Sequence, residues 1–188
     1  MKSLLKKIVF SAFVLLNRVE GGTLERAIAP LAASRHVGPG APVFIIGAPR
    51  SGTTLTFQLI AKSFSVCYLT NLHCVFFGVP ALVSLFTKNH SRPIDFTSTY
   101  GRTTGLYGPS ECGEWWYRFF PRNPAYVTSS DVSRRSMASF RRSLVSLAGI
   151  ERRPVVFKNL YAGMRLEPIV EMFPDALFIH VKRNEIDN

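Results

Sequence analysis

The sequence predicts an α/β domain in three layers, a parallel sheet flanked by helices, and three observations lead there. The first is the short β-branched run at residues 43–46, which reads as a buried strand. It is cut off by Gly47 and Pro49 before a helical apolar spacing begins at Leu55, Leu59 and Ile60. The second is a strand–helix–strand order near the other end. A short run at residues 154–157 ends in Lys158, Met164, Leu166, Ile169, Val170, Met172 and Phe173 repeat at helical spacing, and residues 176–181 form another apolar run. Such an order implies a right-handed crossover and therefore parallel strands. The third is size: 188 residues, 47% of them hydrophobic, suffice for one core and are too apolar for a disordered chain.

Taken in order, residues 1–40 form an apolar helical segment and a linker, and residues 41–188 the α/β domain. The N-terminus begins with Lys2, Lys6 and Lys7 followed by an apolar run at 8–16, but no small-residue cleavage site follows promptly. That run is too short to span a bilayer, which needs about 20 apolar residues. It is expected to form a helix, either packed on the domain or lying on a membrane surface through residues 1–20. Gly21, Gly22 and the glycine- and proline-rich stretch at 34–42 mark the linker.

The loop after the first strand carries the strongest chemical signal. A strand feeding a tight turn at a helix N-terminus offers backbone N–H groups and the positive end of the helix dipole to an anion. Ser51, Thr53 and Thr54 are expected to cap that helix, and Gly52 lets backbone approach a ligand. The spacing Gly47-x-x-x-x-Gly52-Thr53-Thr54 matches a P-loop, except that Thr53 stands where a nucleoside triphosphatase needs lysine. Arg50, inside the loop, supplies a forked cation for a phosphate or sulfate instead. The run Pro49-Arg50-Ser51-Gly52-Thr53-Thr54 resembles the 5′-phosphosulfate loop of sulfotransferases that use 3′-phosphoadenosine 5′-phosphosulfate (PAPS), a family with a P-loop-like fold.

Beyond the first helix, residues 66–69 read as a second strand and residues 75–86 as a helix interrupted at Gly78 and Pro80. Residues 88–109, rich in Ser, Thr and Gly and carrying Arg92, Arg102 and Tyr107, make a loop long enough to act as a lid on the acceptor side. Glu111, Glu114, Trp115, Trp116, Tyr117, Arg118, Phe119 and Phe120 follow as an acidic and aromatic cluster. Two readings stay open: walls and a proton acceptor for a hydroxyl substrate, or a helix whose tryptophans are core and whose glutamates face water. Ser130 and Asp131 are expected to start a helix that ends at Gly149, with Arg134, Arg135, Arg141 and Arg142 on a solvated face.

In a parallel sheet, ligands bind beyond the carboxyl ends of the strands, where Arg50, Lys158 and Arg183 all fall. Residues 178–183 resemble the sulfotransferase strand that ends at the 3′-phosphate site, which implies Arg183 as a 3′-phosphate ligand and Lys158 as a contact to the transferring sulfonate. The resemblance further implies Arg50, Ser51, Gly52, Thr53 and Thr54 as donor-binding residues and Glu111 or Glu114 as the base. His180, inside the strand, is expected in the core or behind the site. The family's serine eight residues after Arg183 would fall at position 191, past Asn188, and a C-terminal part of the fold is expected to be missing.

The formal charge of +11 calls for an acidic partner, yet no nucleic-acid-reading motif is present. Cys67, Cys74 and Cys112 lack metal-ligand spacing and read as reduced thiols of a cytoplasmic protein, at most held at the inner face of a membrane. The function expected is sulfonate transfer from PAPS to a hydroxyl or amine of an acceptor, a carbohydrate or lipid in preference to another small molecule, with no metal. The alternatives are a truncated, inactive remnant that binds nucleotide or a partner, and a P-loop kinase. The kinase would need a loop lysine and an acidic magnesium ligand.

Overall fold

A computed structural model describes residues 17, 22–27, 30, 40–87, 94, 96–99 and 101–184. Three parallel strands form its main sheet: β1 (Val43–Gly47), β4 (Val156–Lys158) and β5 (Leu177–Val181) in the order β4-β1-β5. Strand β1 sits in the middle, with Ile45 opposite Lys158 on one side and Gly47 opposite Val181 on the other. The middle position explains its sequence. Phe44 and Ile45 point to opposite faces and are 0% and 1% exposed, as both faces of a parallel strand must be covered.

Helix α1 (Thr53–Ser63) follows β1 and packs on β1 and β4 through Phe57. Next come α2 (Asn71–Val75) and α3 (Pro80–Thr87). The chain between them bends with Phe76 out of the helical region, so the interruption expected in residues 75–86 is a break between two helices, and Pro80 opens the second. Residues 66–69 do not form a strand. Cys67 makes a single parallel bridge to Val155, and Thr70 a bridge to Pro109. A hairpin of β2 (Ser98–Thr99) and β3 (Arg102–Thr103) turns at Gly101, whose φ of +80° only glycine adopts freely.

The short helix α4 (Gly113–Trp116) leads into the core. Trp115 stacks on Phe157 of β4 with ring centroids 5.1 Å apart, and Phe140, from the long helix α5 (Arg134–Glu151), lies 5.1 Å away on another side. Trp116 and Phe120 complete this aromatic block. The indole N–H of Trp115 donates to Ser143, which in turn donates to Glu25, whereas the buried indole N–H of Trp116 has no partner among the described residues. Helix α5 is capped by Ser133, not by the Ser130–Asp131 pair, which closes a preceding 3₁₀ turn. Gly149 stays inside it, buried, and Arg152 at φ 55° ends it. The burial of Gly149 against the core outweighs its weak helix propensity.

A 3₁₀ turn (Leu160–Met164) and helix α6 (Leu166–Met172) carry the chain from β4 to β5. The edge strand β5 remains half-buried or exposed along its length, with Leu177 58% exposed. His180 is exposed as well, so its expected place in the core is not where it lies. Of the N-terminal segment only Asn17, residues 22–27, which are helical, and position 30 are described, so the expected membrane contact through residues 1–20 falls almost wholly outside the described residues. Among the described residues no helix is long and apolar enough to cross a membrane. Arg92, in the expected lid, also lies outside them.

Candidate active site

The loop between β1 and α1 folds back on the end of β5. A Cβ added at Gly47 would sit 2.5 Å from the carbonyl oxygen of Val181 and 2.8 Å from Ser51 Oγ, so any side chain there would lift the loop off the neighbouring strand. Gly52 at φ 98° and Arg50 at φ 66° both lie in the left-handed region, the second a strained conformation for a residue with a side chain. The loop therefore holds a shape that its own sequence does not prefer.

The expected caps of α1 are absent. Gly52 is the N-cap residue and, among the described residues, no side chain caps the helix, which leaves first-turn N–H groups without a cap. Ser51 Oγ is buried and has no hydrogen-bond partner among the described residues. A buried hydroxyl left unsatisfied costs about 1–3 kcal/mol. Thr53 is buried and Thr54 half-buried, with the Thr54 hydroxyl facing the hairpin.

Three functional groups meet at Gly101. The position of a Cβ on that residue would lie 3.4 Å from Thr54 Oγ1, 3.7 Å from Lys158 Nζ and 3.7 Å from Glu111 Oε1. Lys158, 3% exposed, donates to Glu111 in an ion pair. Asn159 beside it holds the turn, accepting from the N–H of Tyr161 at 2.8 Å and reaching the carbonyl of Glu111 at 3.5 Å. The hairpin is held over this point by Gln58, which donates to the Thr97 carbonyl, and by Asn71, which donates to the carbonyls of Thr103 and Gly105. The role of Gly101 is not legible in the sequence, where it is one glycine in a polar loop.

Glu114, the other expected base, pairs with Arg122, and the Arg122 guanidinium also lies 4.3 Å from the Tyr117 ring centre. Trp115 and Trp116 are 0% and 2% exposed, so they belong to the core and form no wall of an acceptor cleft. Arg50 and Arg183 are exposed, and each lies just past the end of a strand whose ends are paired, Gly47 with Val181. A Cβ placed on Gly52 would lie 4.0 Å from the Val181 side chain, so the loop and the end of β5 are in contact and both ends of the rim are tied together.

Comparison with known proteins accords with this geometry. A profile described as "Sulfotransferase family" matches residues 42–188. In three dimensions the chain resembles sulfotransferase STF1 from Mycobacterium tuberculosis H37Rv, with a TM-score of 0.51, 16% identity, and 87% of this chain and 52% of that one covered. It also resembles sulfotransferase STF9 from Mycobacterium avium, with a TM-score of 0.55, 15% identity, and coverage of 82% and 45%. An uncharacterised protein of Aquifex aeolicus is 28% identical over 146 residues, 78% of this chain and 16% of that protein. The chain spans about half the length of the solved structures and a smaller share of the Aquifex protein. The match across nearly the whole α/β region shows that the chain belongs to the sulfotransferase family.

Proposed function

We propose that the carboxyl edge of the sheet binds PAPS and transfers its sulfonate group to a hydroxyl or amine of an acceptor, a carbohydrate or lipid. The observation that carries this reading is the meeting of Thr54, Lys158 and Glu111 at Gly101, beside a loop with an orphaned buried hydroxyl and an uncapped helix. These residues fit a sulfate or phosphate group: donors surround the place, and the carboxylate there is already matched by a lysine.

The donor supplies an activated sulfonate on a phosphate leaving group. The chain's residues do the rest by position and charge. Arg50, the N–H groups of residues 51–54 and the Ser51 hydroxyl hold the 5′ end, while Arg183 holds the 3′-phosphate across the rim. As the acceptor oxygen bonds to sulfur and the bond from sulfur to the bridging oxygen breaks, negative charge moves onto that oxygen, and Lys158 stabilises it. Glu111 takes the acceptor's proton; its ion pair with Lys158 aims the carboxylate at the same point. Glu114, engaged by Arg122, is the weaker candidate for that task. A kinase reading lacks its loop lysine, since Thr53 occupies that place.

The test is release of adenosine 3′,5′-bisphosphate from PAPS in the presence of hydroxylated carbohydrate or lipid acceptors. Acceptor-dependent release that is lost in Lys158→Ala supports the assignment. Release of phosphate from ATP with magnesium, unaffected by that change, overturns it.

A further inference from the structure

Away from the sheet edge, a cavity of about 270 Å³ opens between the helical residues 22–27, the chain after α4 and the first half of α5. Among the described residues its lining contains Arg26, Arg118, Arg135 and Arg142 against one carboxylate, Glu25. No residue of the loop at 47–54, and neither Lys158 nor Arg183, lines it. The one carboxylate is already engaged. Glu25 is 5% exposed, accepts from Arg118 at 3.2 Å and from Ser143 at 2.7 Å, and so forms the floor of the cavity. Burial pushes the Glu25 carboxyl above its usual range, opposed first by the nearby Arg118 charge and then by Ser143.

Arg135 and Arg142, two turns apart on α5, stand on the same helix face, and both are exposed. Their spacing gives the arginines of this helix two destinations: 135 and 142 line the cavity, whereas Arg134 and Arg141 do not. Ser136, in the first turn of this 18-residue helix, puts the positive end of the helix dipole at the cavity wall. Tyr117 and Phe119 supply aromatic faces, and Ser139 a hydroxyl.

We propose that this cavity is a second anion site, which takes a phosphate or sulfate monoester carried on a small ring-bearing body such as a sugar. Forked guanidinium donors match the tetrahedral oxyanion, and the aromatic faces and the serine hydroxyl match the ring that bears it. The site stands apart from the donor rim and does not depend on the function proposed for that rim. The same chemistry is offered by a soluble ester and by the headgroup of an anionic lipid.

Calorimetry of the full chain distinguishes them with glucose 6-phosphate as one probe and phosphatidylcholine vesicles with and without phosphatidate as the other. Binding of glucose 6-phosphate, weakened about tenfold or more in the exposed double variant Arg135→Ala/Arg142→Ala, is the expected result. Binding confined to phosphatidate vesicles and weakened by the same variant assigns the site to a lipid headgroup. In both cases the double variant should keep the urea-unfolding midpoint of the unaltered chain, which shows that the variant is folded. The proposal is overturned if neither probe binds, if the double variant binds either one unchanged, or if the binding disappears in Arg50→Ala, since the ester would then be occupying the donor rim.

Discussion

The edge of the sheet and the aromatic block beneath it use their residues in opposite ways. Around Trp115 the rings of Trp116, Phe119, Phe140 and Phe157 pack on one another; the Trp115 indole N–H is passed to Ser143 and on to Glu25, and the buried Trp116 N–H has no partner among the described residues. Around Ser51 polar groups lack partners: a buried hydroxyl is orphaned, a helix is uncapped, and Arg50 takes a left-handed φ of 66° between Gly47 and Gly52, which lie against the end of β5. The block is built on ring packing that tolerates one unpaired indole, while the loop combines an unpaired hydroxyl with a left-handed backbone and an uncapped helix end. Lys158 stands at the boundary, on a strand whose Phe157 stacks on Trp115 and with its own ammonium group turned to Glu111.

The largest effect should come from breaking the block. Trp115→Ala removes the ring at its centre and should lower stability by about 3–5 kcal/mol in urea unfolding. A loss below about 1 kcal/mol would show that the block is not the main core. At the edge the order reverses: Lys158→Ala should reduce sulfonate transfer by about 10²–10³-fold, because it removes one charge donor at the reacting point. Its unfolding midpoint then separates a catalytic loss from the stability penalty of leaving Glu111 unpaired.

His73 extends the comparison to pH. Its ring accepts from the backbone N–H of Thr70 at 3.1 Å through Nδ1 and meets Ser84 at 3.2 Å through Nε2. Burial lowers its pKa from 6.5 to about 4. The folded chain therefore keeps this ring neutral, and the stabilisation is complete above the unfolded value of about 6.5 and fades as pH falls toward about 4. The loss attributable to this residue should approach about 3 kcal/mol, read as the part of the acid-induced fall in stability that His73→Gln removes. An identical fall in the variant would exclude it. The smallest effect is expected at Glu114→Gln, where breaking a partly exposed pair with Arg122 should change stability by at most about 1 kcal/mol and leave transfer nearly intact. Glu111→Gln should reduce transfer strongly; the reverse ranking would exchange the two glutamates' roles.

What was legible in the sequence divides along the same line. Strands β1, β4 and β5 and the cradle at Gly47 were legible because periodicity and turn residues are local signals. The aromatic cluster was ambiguous, since a run such as Glu114-Trp115-Trp116 looks alike whether its rings line a cleft or fill a core, and only the packing of Phe140 and Phe157 against it decides. The residues at 66–69 have strand-like composition, yet their partner contributes only Val155, so a bridge forms in place of a strand. The convergence of Gly101, Thr54, Lys158 and Glu111 joins segments that are distant in sequence, and no spacing rule could announce it.

In the proposed function Arg50 and Arg183, beyond the paired ends of β1 and β5, hold the two ends of one bisphosphorylated adenosine. Calorimetric titration with adenosine 3′,5′-bisphosphate against ATP with magnesium tests it most directly. The bisphosphate should bind more tightly than ATP without needing a metal, and Arg50→Ala and Arg183→Ala should each weaken it by about tenfold or more. Magnesium-dependent preference for ATP, or unchanged affinity in both variants, would contradict the account.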